Sequence, residues 1–511
     1  MTSQSRPQLP FLYPPQRRPI ARFLTTETKT WIKSEVRKGI RYTAYLYAGT
    51  ILFFIATFGV RQEYLERQFP SASEWSIYTR FQYRDAKWEE RSHEESIGSI
   101  DWVKVGAAYK RLVLRLEDPS KDGAGLREQE DGGILVAGVG RTGYDVSGKS
   151  EPWRRGYHEV LMGAARSAEH LSDWVVDRAR DIQFPANTVI GPSNPKPRPL
   201  PPGAPVAPQE KDCEPAFDPP EVYYIRILTT QGFTQKQRLD AALAYATWLN
   251  YKGTPEAALE MHNWALDIAT EQYTSPILDR KSGMLNVVDQ PPSTNILAAV
   301  TALATHHALH SDVSVSLPIF LSLLRARRSL ETPPKSTVSA AVLGAEDQSA
   351  FSHALATVKD IVISPEYPPP PSDGTDIPQR TPLEICEEGA VMAHIGEILY
   401  ASRTSKNSKE EGLAWTREAV DIAENELRAG RIPEEAKKKC RECLQVGLDN
   451  WGVMVRKLAK EERELKQAGA KSGSWLGFGN REQKEFLGRW ESEEQVIEQR
   501  LQRSKEILGV S

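Results

Sequence analysis

The chain has 511 residues, a net charge of −3 and a pI near 6.4. A balance this close to neutral argues against nucleic acid as the main partner, because phosphate binding needs a basic face. Four cysteines, Cys213, Cys386, Cys440 and Cys443, are too few for a disulfide-built fold, and the length suffices for two or three domains' worth of core.

Residues 1–41 hold nine Lys or Arg against two acids, Glu27 and Glu35, so the rest of the chain is more acidic than the whole. The segment is rich in Ser and Thr, and its second half can form a basic helix with Phe23, Trp31 and Ile32 as apolar points. That composition suits a mitochondrial targeting segment. Residues 42–60, YTAYLYAGTILFFIATFGV, carry no charge and are bracketed by Arg41 and Arg61. As a helix they extend roughly 28 Å, close to the ~30 Å hydrocarbon core of a bilayer. Tyr42, Tyr45 and Tyr47 cluster where an interfacial aromatic belt sits. The expectation is one transmembrane helix, with Thr43, Gly49, Thr50, Ala56 and Thr57 as a small-residue stripe on which a second helix can pack. The charge bias keeps the N-terminus on the side of synthesis or import. For a mitochondrial inner-membrane protein that means the N-terminus in the matrix and the body in the intermembrane space. An anchor in the endoplasmic reticulum or outer membrane is the alternative.

Residues 61–184 form a juxtamembrane region and a first helical part. Arg61 to Glu95 is charged and aromatic and lies at the membrane surface or packs on the body. Helical periodicity marks Trp102 to Leu116 and Tyr157 to Asp181, and Ile134 to Val139 is the one convincing strand pattern. Residues 185–220 contain 12 prolines in 36 residues and read as an extended linker or surface loop. Residues 221–430 read as helix pairs: Gln235–Tyr251 with Pro255–Glu271, Thr294–His310 with Val313–Leu330, and Leu383–Ala401 with Lys409–Leu427. Pro255 suits the first turn of its helix, where a missing N–H costs nothing. Seven prolines in Pro365 to Pro382 interrupt between the second and third pairs. Residues 431–511 read as long charged helices, Glu434–Gln467 and Arg481–Leu508, around a Gly/Ser break.

The first pair, LDAALAYATWLNYKGTPEAALEMHNWALDIATEQ, resembles a tetratricopeptide repeat, in which small and large residues alternate so that two helices interlock. Tyr245, Ala246 and Leu249 fill the packing positions of its first helix. Ala258-Leu259 and Ala265-Leu266 fill those of the second, with His262 where Tyr or Phe is usual. The third pair is similar through Ile395-Gly396, Leu399, Gly412-Leu413 and Ala419-Val420, although its turn is about four residues longer than the repeat's. The second matches more loosely through Leu303-Ala304, Leu317, Phe320 and Leu323. The expected fold is therefore all-α: a single N-terminal transmembrane helix, then a tetratricopeptide-like (TPR-like) helical-repeat body with Pro-rich interruptions. Anchor, interruptions and degenerate repeats together resemble the fungal tetratricopeptide adaptors of the i-AAA protease in the mitochondrial inner membrane. GRTGYDVSGKSEPWRRGYHEVLMGAARSAEHL and HIGEILYA look like stretches of that family. The resemblance implies a body that binds substrate proteins in the intermembrane space and delivers them to the protease for protein quality control. It supplies no catalytic residues.

Four motifs point elsewhere. Gly143 to Ser150, GYDVSGKS, satisfies the phosphate-loop pattern, and Gly138, Gly140 and Gly143 satisfy G-x-G-x-x-G. Both chemistries need a strand running into the loop and a helix opening at its end. Here Arg141-Thr142 separate strand from loop, and Glu151-Pro152-Trp153 reads as a poor first helical turn. Cys440-x-x-Cys443 lies in a charged helical run with no further zinc ligands nearby. His306 and His310 stand one helical turn apart without the Glu of a metalloprotease motif. The expectation is no cofactor, no metal, no catalytic residue, no nucleic acid and no small-molecule substrate. The expected partners are a membrane AAA protease, its substrate proteins and the lipid bilayer. The candidate peptide-binding concave face is Asp240, Leu243, Thr247 and Asn250, on the first helix of the best repeat. An import receptor or assembly scaffold is the alternative function, and a P-loop nucleotide hydrolase a remote one.

Overall fold

Helix α1 (Thr26–Gln68) runs unbroken for 43 residues and is long and apolar enough to cross a membrane. Every side chain from Tyr42 to Val60 is exposed, including the small-residue stripe. The Thr50 hydroxyl donates to Leu46 O at 2.8 Å and that of Thr57 to Phe53 O at 2.9 Å, so both are satisfied within the helix, as apolar surroundings require. The computed structural model describes residues 26–92, 100–128, 134–136, 140–286, 290–333, 367–402, 407–429, 432–473 and 488–508. Residues 1–25 of the basic segment, Gly138, and residues 474–480 of the Gly/Ser break lie outside these.

Residues 70–511 form a second unit. The fold is all-α, with small antiparallel sheets at its surface. Helices α2 (Ile77–Ser92), α3 (Trp102–Glu117), α4 (Glu151–Leu171) and α5 (Pro220–Thr229) pack in succession. Trp75 and Tyr83 are thus part of the body's core. Aromatic rings fill hollows left by helical glycines: a Cβ on Gly156 would stand 2.6 Å from the Trp75 ring, and one on Gly163 2.4 Å from that of Tyr109. The buried phenols find carboxylates, as buried hydroxyls must. Tyr83 donates to Glu159 (2.6 Å), Tyr109 to Glu90 (2.6 Å), Tyr157 to Glu117 (2.8 Å) and Tyr224 to Glu169 (2.6 Å). Burial, with those carboxylates, raises all four phenols above their ordinary range, so they stay donors.

Helix α4 corrects the sequence reading at both ends. It begins at Glu151, because Ser150 accepts from Trp153 N (3.3 Å) as its cap and Pro152 falls in the first turn, where its missing N–H has no partner to lose. It ends at Leu171, and Trp174–Asp177 leaves the helix as a strand. Strands β1 (Arg127–Glu128) and β4 (Tyr144–Asp145) pair antiparallel, as do β2 (Ile134–Val136) and β3 (Gly140–Thr142). A third sheet, in the order β6-β5-β7, joins β5 (Trp174–Asp177) to β6 (Ile182–Pro185) and β7 (Cys213–Pro215), again antiparallel. The expectation of a single strand region therefore fails. The Pro-rich 185–220 stretch is a loop that contributes β7 to this sheet and is closed on itself, with Ile190 N donating to Pro208 O (2.9 Å) and Glu210 N to Ile190 O (3.0 Å).

The helix pairs follow the sequence reading closely. They are α6 (Gln235–Tyr251) with α7 (Pro255–Thr270), α8 (Thr294–Leu309) with α9 (Val313–Arg328), and α10 (Pro382–Ser402) with α11 (Ser408–Arg428). A capping box between Thr234 and Gln237 starts α6, and Gly253, at φ 77°, supplies the left-handed turn into α7. Ala246 and Ala258 are fully buried in the first pair. In the third, Gly396 and Gly412 let the backbones touch: a Cβ on Gly412 would stand 2.5 Å from Gly396 O. Helices α12 (Glu434–Gly473) and α13 (Arg489–Leu508) close the body over Leu413, Val420, Leu444, Leu448, Trp451 and Ile497.

Two long-range ties were invisible in the sequence pattern. Cys440 is bonded to Cys386 by a disulfide that staples α12 to α10, so the two cysteines read at 440 and 443 as ordinary residues of a charged helix are not alike: one is crosslinked and Cys443 is free. The Pro-rich segment before α10 runs as a strap across the start of three helices. Arg155 of α4 donates to Pro368 O (2.7 Å) and stacks on the Tyr367 ring (4.4 Å). Asp373 accepts from Lys236 N (2.9 Å) at the start of α6, and Gly374 O accepts from Asn295 N (3.0 Å) at the start of α8.

Candidate binding surface

Helices of the body line two cavities. The larger, about 670 Å³, lies between α4, α5 and α6 and is lined by Met162, Arg166, Glu169, Tyr224, Thr247 and Trp248 among others. The second, about 590 Å³, lies between α6, α8, α10 and α12. Its floor is small, from Leu297, Ala298, Thr301 and Ala302 of α8, and its walls are long charged side chains.

Helix α6 contributes to both cavities, with Lys236 in the second and Thr247 in the first. Lys236, Asp240, Leu243, Thr247 and Asn250 follow at spacings of three and four, so one face of α6 carries them all. This places the candidate peptide-binding residues. Thr247 is exposed, while Asp240, Leu243 and Asn250 are half-buried. Asp240 pairs with Lys236 at 3.4 Å, and burial raises its carboxyl above the ordinary value. Asn250 is occupied in bracing α8: its Oδ1 lies 3.1 Å from His306 Nδ1 and 3.2 Å from His310 Nε2.

The aromatic wall of the first cavity was missed in the sequence reading. Trp248 and Tyr251 stack at 5.6 Å, Tyr251 is 81 % exposed, and Lys252 Nζ sits 4.7 Å over the Trp248 ring. The signal was present, as two aromatics three residues apart at the end of the best repeat helix. In the second cavity Arg327 pairs with the buried Glu384, and Lys439 with Glu387 at 2.9 Å. Burial raises the Glu384 carboxyl, and Arg327 partly offsets it. These groups make a mixed-charge, partly aromatic face. Such a face can hold a polypeptide segment by shape, by stacking and by hydrogen bonds.

The motifs for other chemistry are occupied by structural contacts. Lys149 donates to Ala124 O (2.6 Å) and lies 4.9 Å over the Trp153 ring. Ser150 caps α4, and Asp145 accepts from the Ser147 amide and hydroxyl. A helix does open directly after Gly148-Lys149-Ser150, but β4 before it pairs antiparallel with β1. Cys443 is buried, which pushes its thiol up to about 12. His306 and His310 face Asn250, with ring centroids 4.6 Å apart, and His262 packs on His306 at 5.0 Å. Among the described residues no group of three or more His, Cys, Asp or Glu is placed to hold a metal ion. Comparison with family models, with curated proteins and with solved structures finds no match to this chain.

Proposed function

We propose that this chain is a membrane-anchored adaptor whose TPR-like helical body binds other polypeptides. The observation that carries the reading is the run of helix pairs whose first helices, α6, α8 and α10, line one cavity together, while α6 also lines a second with α4 and α5. A surface shared by successive helix pairs suits an extended segment of another chain better than a small molecule. The buried Ala246 and Ala258, and the touching Gly396 and Gly412, support the repeat reading, since small residues at those places let paired helices close on each other.

The fully exposed apolar run of α1 supports a bilayer span. The basic residues before it favour the mitochondrial inner membrane, with the N-terminus in the matrix and the body in the intermembrane space. The Cys386–Cys440 disulfide supports a compartment in which thiols are oxidised. In that setting the body binds unfolded or partly folded membrane proteins and presents them to an i-AAA protease, with no catalytic step of its own.

The test is purification of a C-terminally tagged chain from mitochondria in mild detergent, with every co-purifying protein identified. The expected result is the i-AAA protease together with membrane clients. Recovery of outer-membrane translocase subunits or cytosolic chaperones without the protease overturns the adaptor reading and favours an import receptor or assembly scaffold.

A further inference from the structure

Lys29, Lys33, Arg37 and Arg41 follow one another at intervals of four along α1. They form a ladder on one side of the helix, one rung per turn. The acids of this stretch do not serve it. Glu35 is taken by Lys38 at 2.9 Å, and no rung has a carboxylate partner among the described residues. Like charges one turn apart repel and weaken a helix, so the ladder is more stable where something anionic faces it. Ile32, Val36 and Ile40 run beside it as an exposed apolar row. Because α1 is unbroken, Arg41 adjoins the apolar run and each earlier rung stands roughly 6 Å further away.

We propose that this ladder binds anionic lipid headgroups on the N-terminal side of the membrane, an inference that rests on α1 spanning the bilayer. Charge complementarity selects the occupant. The apolar run fixes the rungs next to a headgroup layer, and the apolar row suits its hydrocarbon edge. At physiological salt a surface field decays over ~8 Å. Arg41 and Arg37 lie within that reach, and Lys33 and Lys29, at about 12 and 18 Å along the helix, lie beyond it. The two arginines therefore carry most of the attraction.

The test uses the full-length chain reconstituted in vesicles of phosphatidylcholine and phosphatidylglycerol. Electron paramagnetic resonance then compares the protein-restricted fraction of spin-labelled phosphatidylglycerol with that of spin-labelled phosphatidylcholine. The expected preference for the anionic lipid is roughly fivefold, the effect of about one effective cation at the surface, and it falls at high salt. Arg37→Gln with Arg41→Gln removes most of it, whereas Lys29→Gln with Lys33→Gln leaves most of it. Equal association of the two lipids, or a preference untouched by the arginine substitutions, overturns the proposal. Equal association accompanied by arginine-dependent recovery of an acidic protein assigns the ladder to that protein and overturns it too. Flotation after an alkaline wash separates the two readings: a chain that leaves the vesicles fails the span reading and this one with it, whereas a chain that floats without lipid preference fails this one alone.

Discussion

His262 sits where the tetratricopeptide pattern has Tyr or Phe, and its surroundings treat it as an apolar ring. It is buried, both ring nitrogens lack hydrogen-bond partners among the described residues, and it packs on His306 across the α7–α8 contact. Burial, then the neighbouring His306 and His307, pushes its pKa down to about 4. In an unfolded chain the group titrates near ~6.5. The folded state therefore binds fewer protons between those values, and this contribution to stability is complete above ~6.5 and is lost as pH falls toward ~4. We expect denaturant stability to drop by something on the order of 2 kcal/mol from this site across that window. His262→Phe flattens the slope and keeps the fold; urea titrations of both proteins at pH 7, 5.5 and 4.5 check it, and equal slopes would refute the assignment. At this scale the sequence named His306 and His310 by their spacing. It could not join His262 to them, because that contact depends on how α7 lies on α8. The same limit explains Asn250, which looked available for a ligand until the α6–α8 packing gave it two imidazoles.

At the scale of elements, the pairs α6–α7, α8–α9 and α10–α11 were legible from apolar runs of helix length between turn residues, and in α6–α7 the turn glycine Gly253 and the first-turn Pro255 agree with them. What stayed hidden was too short to show a period or needed a partner distant in sequence. The β6-β5-β7 sheet is built of strands of three or four residues, too short for alternation to show, and Trp174–Asp177 continues a helical pattern that only strand pairing interrupts. The disulfide likewise joins positions 54 residues apart. It crosslinks α10 to α12, and closing a loop of that length stabilises a fold by about 2–4 kcal/mol. Cys386→Ser with Cys440→Ser should lower the melting temperature under oxidising conditions to that of the reduced wild type. Cys443→Ser, which alters a thiol packed against Gly389, should leave the reductant-dependent shift in place. Differential scanning fluorimetry with and without dithiothreitol tests this, and peptide mapping without reduction shows which cysteines pair. An unchanged melting temperature in the double variant would count against the staple.

For the whole molecule, one apolar helix and one helical body divide the work of placement and recognition in the function proposed here. Deleting residues 42–60 should therefore move the chain from the membrane pellet to the supernatant after alkaline extraction, while the intact chain stays in the pellet. An intact chain that is itself extracted would refute the anchor. The all-α class and the candidate span were readable from composition and run length, whereas the shared lining of the cavities emerged only from stacking. The strap has a further consequence, for the order in which the body can be completed. An array of helix pairs in contact only with their neighbours can fold as it emerges, pair by pair, from the first residue onward. Here Arg155 is held by Pro368, 213 residues later, and the first turns of α6 and α8 donate hydrogen bonds to Asp373 and Gly374. The amides of Lys236 and Asn295 must therefore wait for these partners until residue 374 has emerged. Assembly becomes a single late event that seals many helices together.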